Sequence, residues 1–390
     1  MPESSVVVQP DPIGSSRLQT VGLRTATKLF EQAAAEVPLP AAPRPVVIAE
    51  YGSGNAHNGL LPIGAGITAL RKRIRPEHPI AVTHTDIPDN DFSALFRTLR
   101  DDAFSYLRAD RATFASAVGR SYLSQILPSE GVHLGWSAWA IQWLSRMPAD
   151  IPDHIQPSYS ADAQVRAAYA RQAAHDWHEF IAFRGRELSP GGRLVVMTMG
   201  QHDDGRLGLE PLFDGLMRAL SGLQDQRLLT AEELRRMRLP IVGRSEADFR
   251  SPFAPSGRFE RLRITHLVAA DEPDRFWQQY QNDRDATAFA KSWVGFTRAA
   301  VFDTLLEALD PADAARRSRL ADALEAALTE LLVAAPEPMP IPVASRARCA
   351  VNGERAMSCR CARSSVKWCP GWRACNILGR NMIRRQWLIG

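Results

Sequence analysis

Apolar and polar positions along the chain follow two periods, and each predicts a different element. Pro45 to Glu50 is a short apolar run ending in an acid and then glycines, which predicts a buried strand entering a tight turn. Asn58 to Ile74 has helical character, and Arg71, Lys72 and Arg73 in its last turn complement the helix dipole. Pro79 to Thr85 predicts a second strand. Asp91 to Phe104 predicts a helix with Phe92, Leu95, Phe96 and Leu99 on one face. Ala112 to Val118 and Val132 to Trp136 are further strand candidates, and Asp162 to Leu188 is a long helix. Gly191-Gly192 breaks that helix, and Arg193 to Met199 predicts a strong strand. Strands alternating with helices up to residue 200 indicate the α/β class, with an open and mostly parallel sheet.

After Gly200 the pattern changes. Helices are expected over 210–222 and 230–238, followed by a Pro/Ser/Phe-rich stretch from Arg250 to Ser256. Phe259 to Val268 alternates like a strand with one solvent face. Two more helices are expected over 285–308 and 312–334, and Pro336 to Pro342 is a proline-rich break. No internal repeat is visible. No run of ~18 apolar residues exists, so no membrane span is expected. Met1 to Pro12 carries Glu3 and Asp11 and lacks a basic-then-apolar leader, so a cytoplasmic location is expected.

Composition matters once it is split. The formal charge of the 390-residue chain is +4. Residues 345–390 hold ten Lys/Arg and one acid, Glu354, leaving 37 bases against 42 acids, a net of −5, before them. All five cysteines (Cys349, Cys359, Cys361, Cys369, Cys375) also lie in this last stretch. The body is therefore mildly acidic and cysteine-free, which suits a reducing compartment and gives no ground for a nucleic-acid partner. In the tail, Cys spacings of ten, two, eight and six offer no C-x-x-C pair for zinc, and no periodicity supports a basic arm. An abrupt, patternless run of Arg, Cys, Trp and Ser fits an out-of-frame reading of a GC-rich gene best.

The turn after the first strand reads Glu50-Tyr51-Gly52-Ser53-Gly54-Asn55-Ala56-His57-Asn58. Glycines there let a ligand approach the backbone at the C-terminal edge of a parallel sheet, where such folds bind nucleotides. The spacing is neither G-x-G-x-x-G nor a P-loop. An acid directly before the turn disfavours a pyrophosphate and suits a cationic or hydroxyl-rich group, such as the amino-acid end of S-adenosylmethionine. Asp86 closes the second strand, where an acid commonly accepts both ribose hydroxyls of an adenosine. A helix N-cap is the structural alternative.

Three stretches together resemble the SABATH family of S-adenosylmethionine-dependent carboxyl methyltransferases, which includes plant salicylate, jasmonate and benzoate methyltransferases and bacterial-type members. Thr85 to Phe92 is similar to the family's Asp-Leu-Pro-x-Asn-Asp-Phe segment, and Trp136 to Pro148 to its Ser-Ser-x-x-x-x-His-Trp-Leu-Ser-x-x-Pro segment. Gly191 to Val196 resembles the more generic Gly-Gly-Arg-Met-Val strand. The resemblance covers about residues 13–310.

It implies a class I methyltransferase (Rossmann-like) fold, with a mixed sheet, helices on both faces and a mostly helical cap. It also implies S-adenosylmethionine as cofactor and a small aromatic or fatty acid as substrate. Ser16, Glu50, Gly52, Asn58, Asp86, Ile87, Ser121 and Tyr122 match its cofactor positions, and Gln19 and Trp143 its substrate-carboxylate donors. The residues alone read differently for Trp143, because Trp136, Trp139 and Trp143 recur at helical spacing like a packing stripe. Gln142 replaces the family's His. Arg235, Met237 and Arg238 replace an Asp-x-Phe-Asn group linked to magnesium in plant members, so no metal is expected.

The expected division is a core of residues 1–200 and 258–345, an inserted cap of 201–257 and 273–310, and the atypical tail 345–390. Phe213, Phe249, Phe253 and Phe296 are expected to line the acid pocket. The family's final antiparallel strand should begin after about Pro342, and the tail is read as supplying none. Methylation of another small molecule, or a non-catalytic cofactor binder with an altered C-terminus, are the alternatives. A homodimer is compatible with the pattern.

Overall fold

The computed structural model describes the backbone of residues 12–202, 205 and 207–351, and the side chains of these residues except 12–22, 270, 342 and 344–351. Seven strands form one sheet in the order β3-β2-β1-β4-β5-β7-β6. They are β1 (Val46–Tyr51), β2 (Ile80–Asp86), β3 (Thr113–Gly119), β4 (Val132–Ala138), β5 (Leu188–Met199), β6 (Leu262–Glu272) and β7 (Ile341–Val351). β1 to β5 are mutually parallel, and β7 runs antiparallel to both β5 and β6. The chain order reverses between β1 and β4, which opens a crevice at the carboxyl ends of the strands.

The central strands read as continuous apolar runs because both of their faces are buried. On one face, Val46, Ile48, Ile80, Val82, Leu134 and Trp136 share a core with α1 (Pro12–Glu36) and α2 (Leu60–Arg71). Leu23, Ala26, Phe30 and Ala33 form the stripe by which α1 packs, at helical spacing. α3 (Phe92–Asp101) and the short α4 (Tyr106–Ala109) add Leu95, Leu99 and Tyr106. On the other face, Ala49, Tyr51, Leu194 and Val196 pack against Trp177, Phe180 and Ile181 of α5 (Ala163–Glu187).

The chain between β5 and β6 forms α6 (Glu210–Asp225), α7 (Ala231–Arg236) and α8 (Glu246–Arg250). Between β6 and β7 lie α9 (Arg275–Asp283), α10 (Ala286–Thr297), α11 (Asp303–Leu306) and α12 (Ala314–Ala334). The single helix expected over 285–308 is interrupted by a π-helical turn, Arg298–Phe302. Among the described residues no helix is long and apolar enough to cross a membrane.

β7 corrects the expectation that the tail supplies no final strand. Its register runs from Met199 opposite Val343 to Arg193 opposite Ala350, and on the other side from Glu272 opposite Ile341 to Leu262 opposite Val351. The sequence supports this: Ile341, Val343, Ser345, Ala347, Cys349 and Val351 form a small-or-apolar set at period two. Dividing the chain at residue 345 cuts that set in half and leaves Arg346 and Arg348 looking like the start of a basic tail. Residues 352–390 lie outside the described residues, and so do four of the five cysteines.

A chain ending at Gly353 is expected to keep one cooperative thermal transition by circular dichroism. A chain ending at Pro340 is expected to lose it, because β5 and β6 each lose their partner along an entire edge. A cooperative transition in the shorter chain would show that β7 is dispensable.

Candidate functional site

Three chain segments meet at the carboxyl edge of β1, β2 and β4. The turn after β1 is tied to the end of β2: the Gly52 and Ser53 amides donate to the Thr85 carbonyl at 2.9 and 3.0 Å. The Gly54 amide donates to Asp86 Oδ2 at 2.6 Å, and Asn90 Nδ2 donates to the Gly54 carbonyl at 2.8 Å. Gly52, Gly54 and Ala56 all hold positive φ, at 78°, 50° and 67°. Gly52 is required twice over, since a Cβ there would sit 2.3 Å from the Ala140 Cβ. A Cβ on Gly54 would meet nothing within 4 Å, so that residue borders open space.

Asp86 is a ligand candidate with lone pairs to spare. Oδ1 accepts the Ile87 amide at 2.8 Å and Oδ2 accepts Gly54, so each oxygen has made one bond. The N-cap role falls to Asp91, whose carboxylate accepts the Ala94 amide. Ile87, beside Asp86, keeps a large apolar side chain 49% exposed at the cleft rim. The Arg120 amide donates to the Asp86 carbonyl at 2.7 Å, which brings Ser121 and Tyr122 to the same edge. The Tyr122 hydroxyl donates to the Ala140 carbonyl at 3.1 Å, and its ring lies next to Gly52. Asn58 is half-buried in the 3₁₀ turn His57–Gly59 that follows.

Glu50 behaves differently from the expectation of a cleft-facing acid. Its carboxylate turns inward, with Oε2 2.5 Å from His84 Nδ1, and His84 Nε2 lies 2.7 Å from the Tyr106 hydroxyl. A Cβ on Gly59 would come within 2.1 Å of Oε1, so the acid fits only under a glycine. Burial raises the Glu50 pKa, with His84 pulling against it. A sequence carries no sign of which way this acid turns, because its partner is 34 residues away. Ser16 and Gln19 belong to α1, and their side chains lie outside the described residues.

Next to the cleft is an apolar cavity of about 240 Å³. Trp139 and Trp143 enter it from the turn after β4, Phe213 from α6, and Trp293 and Phe296 from α10. Ile341 and Val343 of β7 and Ala299 to Val301 of the π turn complete its wall. The residues after Ala138 are not helical, so the spacing of the tryptophans is not that of a packing stripe. Trp136 is a core residue edge-on to Phe30, whereas Trp139 and Trp143 face the cavity. Phe213 and Phe296 line the cavity as expected. Phe249 and Phe253 do not: they join the opposite core, with Phe249 edge-on to Trp177.

Gln142 explains how the turn is held. Its Nε2 donates to the Trp139 carbonyl at 2.7 Å, and its Oε1 accepts the Thr198 hydroxyl at 2.9 Å. The amide thus fastens the turn to β5. Trp139 is held at a φ of 54°, a conformation costly for a residue with a Cβ. Sequence reasoning missed Trp139, Trp293 and the β7 residues, because each reaches the cavity from a different element.

A model of SAM dependent carboxyl methyltransferases matches residues 13–310. Salicylate carboxymethyltransferase of Clarkia breweri is 26% identical over 252 residues, covering 62% of this chain and 67% of that protein. Benzoate O-methyltransferase of Zea mays is 26% identical over 270 residues, covering 62% and 70% respectively. Among solved structures, a loganic acid methyltransferase with SAH superposes with a TM-score of 0.65 at 20% identity, over 85% of this chain and 95% of that one. At that identity the likeness bears on the fold.

Gly52→Ala is expected to cost about 2–5 kcal/mol from the collision with Ala140 and the positive φ together. Gly54→Ala, with open space and only the φ to oppose it, should cost about 1 kcal/mol. Urea denaturation of both variants checks the order; equal losses would contradict the packing at Gly52.

Proposed function

Because the chain belongs to the family of SAM dependent carboxyl methyltransferases, we propose that it esterifies a small carboxylic acid whose apolar body fills the cavity beside Trp143. The observation that carries this reading is the shared turn after β4. Ala140 closes against Gly52 and Tyr122 of the cleft, while Trp139 and Trp143 of the same turn line the cavity. A methyl donor in the cleft and an acid in the cavity would therefore meet across that turn.

Several features of the cleft suit S-adenosylmethionine. Asp86 has acceptor capacity left for ribose hydroxyls, and Ile87 offers an exposed apolar face for adenine. Ser121 and Tyr122 bound the same side, and Gly52, Gly54 and Asn58 frame the amino-acid end. Ser16 is assigned there from the family match. Glu50 acts from beneath the turn, through His84 and Gly59. When bound, the cofactor supplies an electrophilic methyl group on a sulfonium.

The acid substrate is already ionised near neutral pH, so no side chain needs to remove a proton. The task left to the protein is positioning, which can supply up to roughly 7–11 kcal/mol. Trp143 and Gln19 are assigned to donate neutral hydrogen bonds to the carboxylate. Neutral donors orient it without quenching its nucleophilicity as an Arg clamp would. The apolar wall excludes water. Aromatic and fatty acids are the substrate classes this wall suits, and the cysteine-free body of residues 1–344 suits a cytoplasmic setting.

The cap role is assigned to residues 201–257 and 273–310, on the strength of Leu212, Phe213 and Ile241 on one side and Trp293 and Phe296 on the other. Within it, α8 and Phe253 pack on the far side of the sheet. The non-catalytic alternative drew support from an altered C-terminus; β7 supplies the final strand as far as Val351 and so supports the catalytic reading.

Trp143→Phe is expected to raise KM for the acid about tenfold, the value of one lost hydrogen bond to a charged group. Affinity for S-adenosylmethionine by calorimetry should stay within twofold. A parallel loss of cofactor binding would make Trp143 a structural residue instead.

The rate should also be flat between about pH 6 and 9, since the ionised acid needs no general base. Burial raises the Tyr122 hydroxyl far above its ordinary value and so keeps it out of that window. A sigmoidal profile within the window would require a general base.

A further inference from the structure

The last turn of α5 carries an ion pair with no solvent contact. Arg184 and Glu187 both have 0% side-chain exposure and lie 2.9 Å apart. Such a pair is a poor stabiliser by default, because desolvating two charges offsets most of their attraction. Both side chains are sealed from solvent, so neither is open to a ligand and any effect on binding must be indirect.

Its remaining bonds point to one segment. Arg184 Nη1 donates to the Tyr122 carbonyl at 2.7 Å, and Nη2 to the Ser124 carbonyl at 2.9 Å. Glu187 Oε1 accepts the Ile126 and Leu127 amides at 2.6 and 3.0 Å. Residues 121–127 have no helix or strand of their own. Two buried charges thus satisfy four main-chain groups that neither helix nor sheet would pair.

The same pair reaches the other wall of the cleft. The Tyr51 hydroxyl donates to Glu187 Oε2 at 2.8 Å, and the Arg184 guanidinium stacks 4.2 Å from the Tyr51 ring centroid. Burial pushes the Tyr51 phenol well above its ordinary value, so it remains a donor. Tyr51 immediately precedes Gly52. One network therefore fixes the segment carrying Tyr122 and the strand end that launches the glycine turn.

We propose that Arg184 and Glu187 are positioning residues for the cofactor, setting the distance between its adenine wall at Ser121–Tyr122 and its glycine turn. This rests on the reading that these two walls hold S-adenosylmethionine. The acid cavity lies beyond the β4 turn, which Gln142 fastens to β5 and which the segment touches through the bond from the Tyr122 hydroxyl to the Ala140 carbonyl. Loosening the pair should weaken cofactor binding and leave the acid side alone.

The test uses the full chain. Glu187→Gln keeps the volume and removes the charge, and should raise Kd for S-adenosylmethionine about tenfold by calorimetry. At saturating cofactor, kcat and KM for the acid should stay within twofold. Tyr51→Phe, which removes one hydroxyl and keeps the ring, should raise the same Kd by about threefold, and it carries the test if Glu187→Gln does not fold. Arg186→Ala, the exposed neighbour paired with Glu260, is the control and should leave Kd unmoved.

A lower thermal midpoint with unchanged Kd in both Glu187→Gln and Tyr51→Phe would overturn the proposal and make the pair purely structural. A matching rise in KM for the acid would also overturn it. Failure of the unaltered chain to bind S-adenosylmethionine would instead overturn the reading of the cleft itself.

Discussion

The antiparallel pairing of β7 between β5 and β6 is the constraint on which the rest depends. β5 ends at Met199 on the cavity and carries Thr198, the anchor of Gln142. Without a strand along its outer edge, β5 would present a row of unmet amides and carbonyls. β7 supplies that edge and, through Ile341 and Val343, part of the cavity wall. Completing the sheet and shaping the site are accomplished by the same few residues.

Much of this architecture is legible in the sequence where burial is two-sided. β1 reads as an apolar run because helices cover both of its faces, and Asp86 stands out because a carboxylate ends the neighbouring strand. What resisted reading depends on long-range geometry. Trp136, Trp139 and Trp143 have helical spacing but no helix: β4 ends at Ala138 and the backbone turns through a positive φ at Trp139. Phe249 and Phe253 are chemically equivalent to Phe213, yet only the fold decides which side of the sheet each one reaches. β7 was hidden by composition, since two arginines and a cysteine outweigh a six-position alternation when the eye divides the chain by charge.

The site residues divide in the same way. Gly52, Asp86, Ile87, Ser121 and Tyr122 gather at one strand edge because all follow parallel strands in the sheet. Glu50 lies at that edge by position and beneath it by orientation, a distinction set by His84 and by the absence of a side chain on Gly59. Polar groups that hold other polar groups, such as Gln142 and the Arg184–Glu187 pair, leave no local signature. Their spacing in the chain follows from what they fasten rather than from any period of the helix or strand that bears them.

The turn from Trp139 to Trp143 is a party wall, with a different tenant on each side. A substitution at Ala140 cannot reshape one room without disturbing the other, because that residue is already in contact with Gly52 and Tyr122. Among the described residues, the lining contributed by α6, α10 and the π turn includes none of Gly52, Asp86, Ile87 or Tyr122. A lineage that changed its acid while keeping its methyl donor would find its freedom on that side, and would leave the tryptophan turn as it stands.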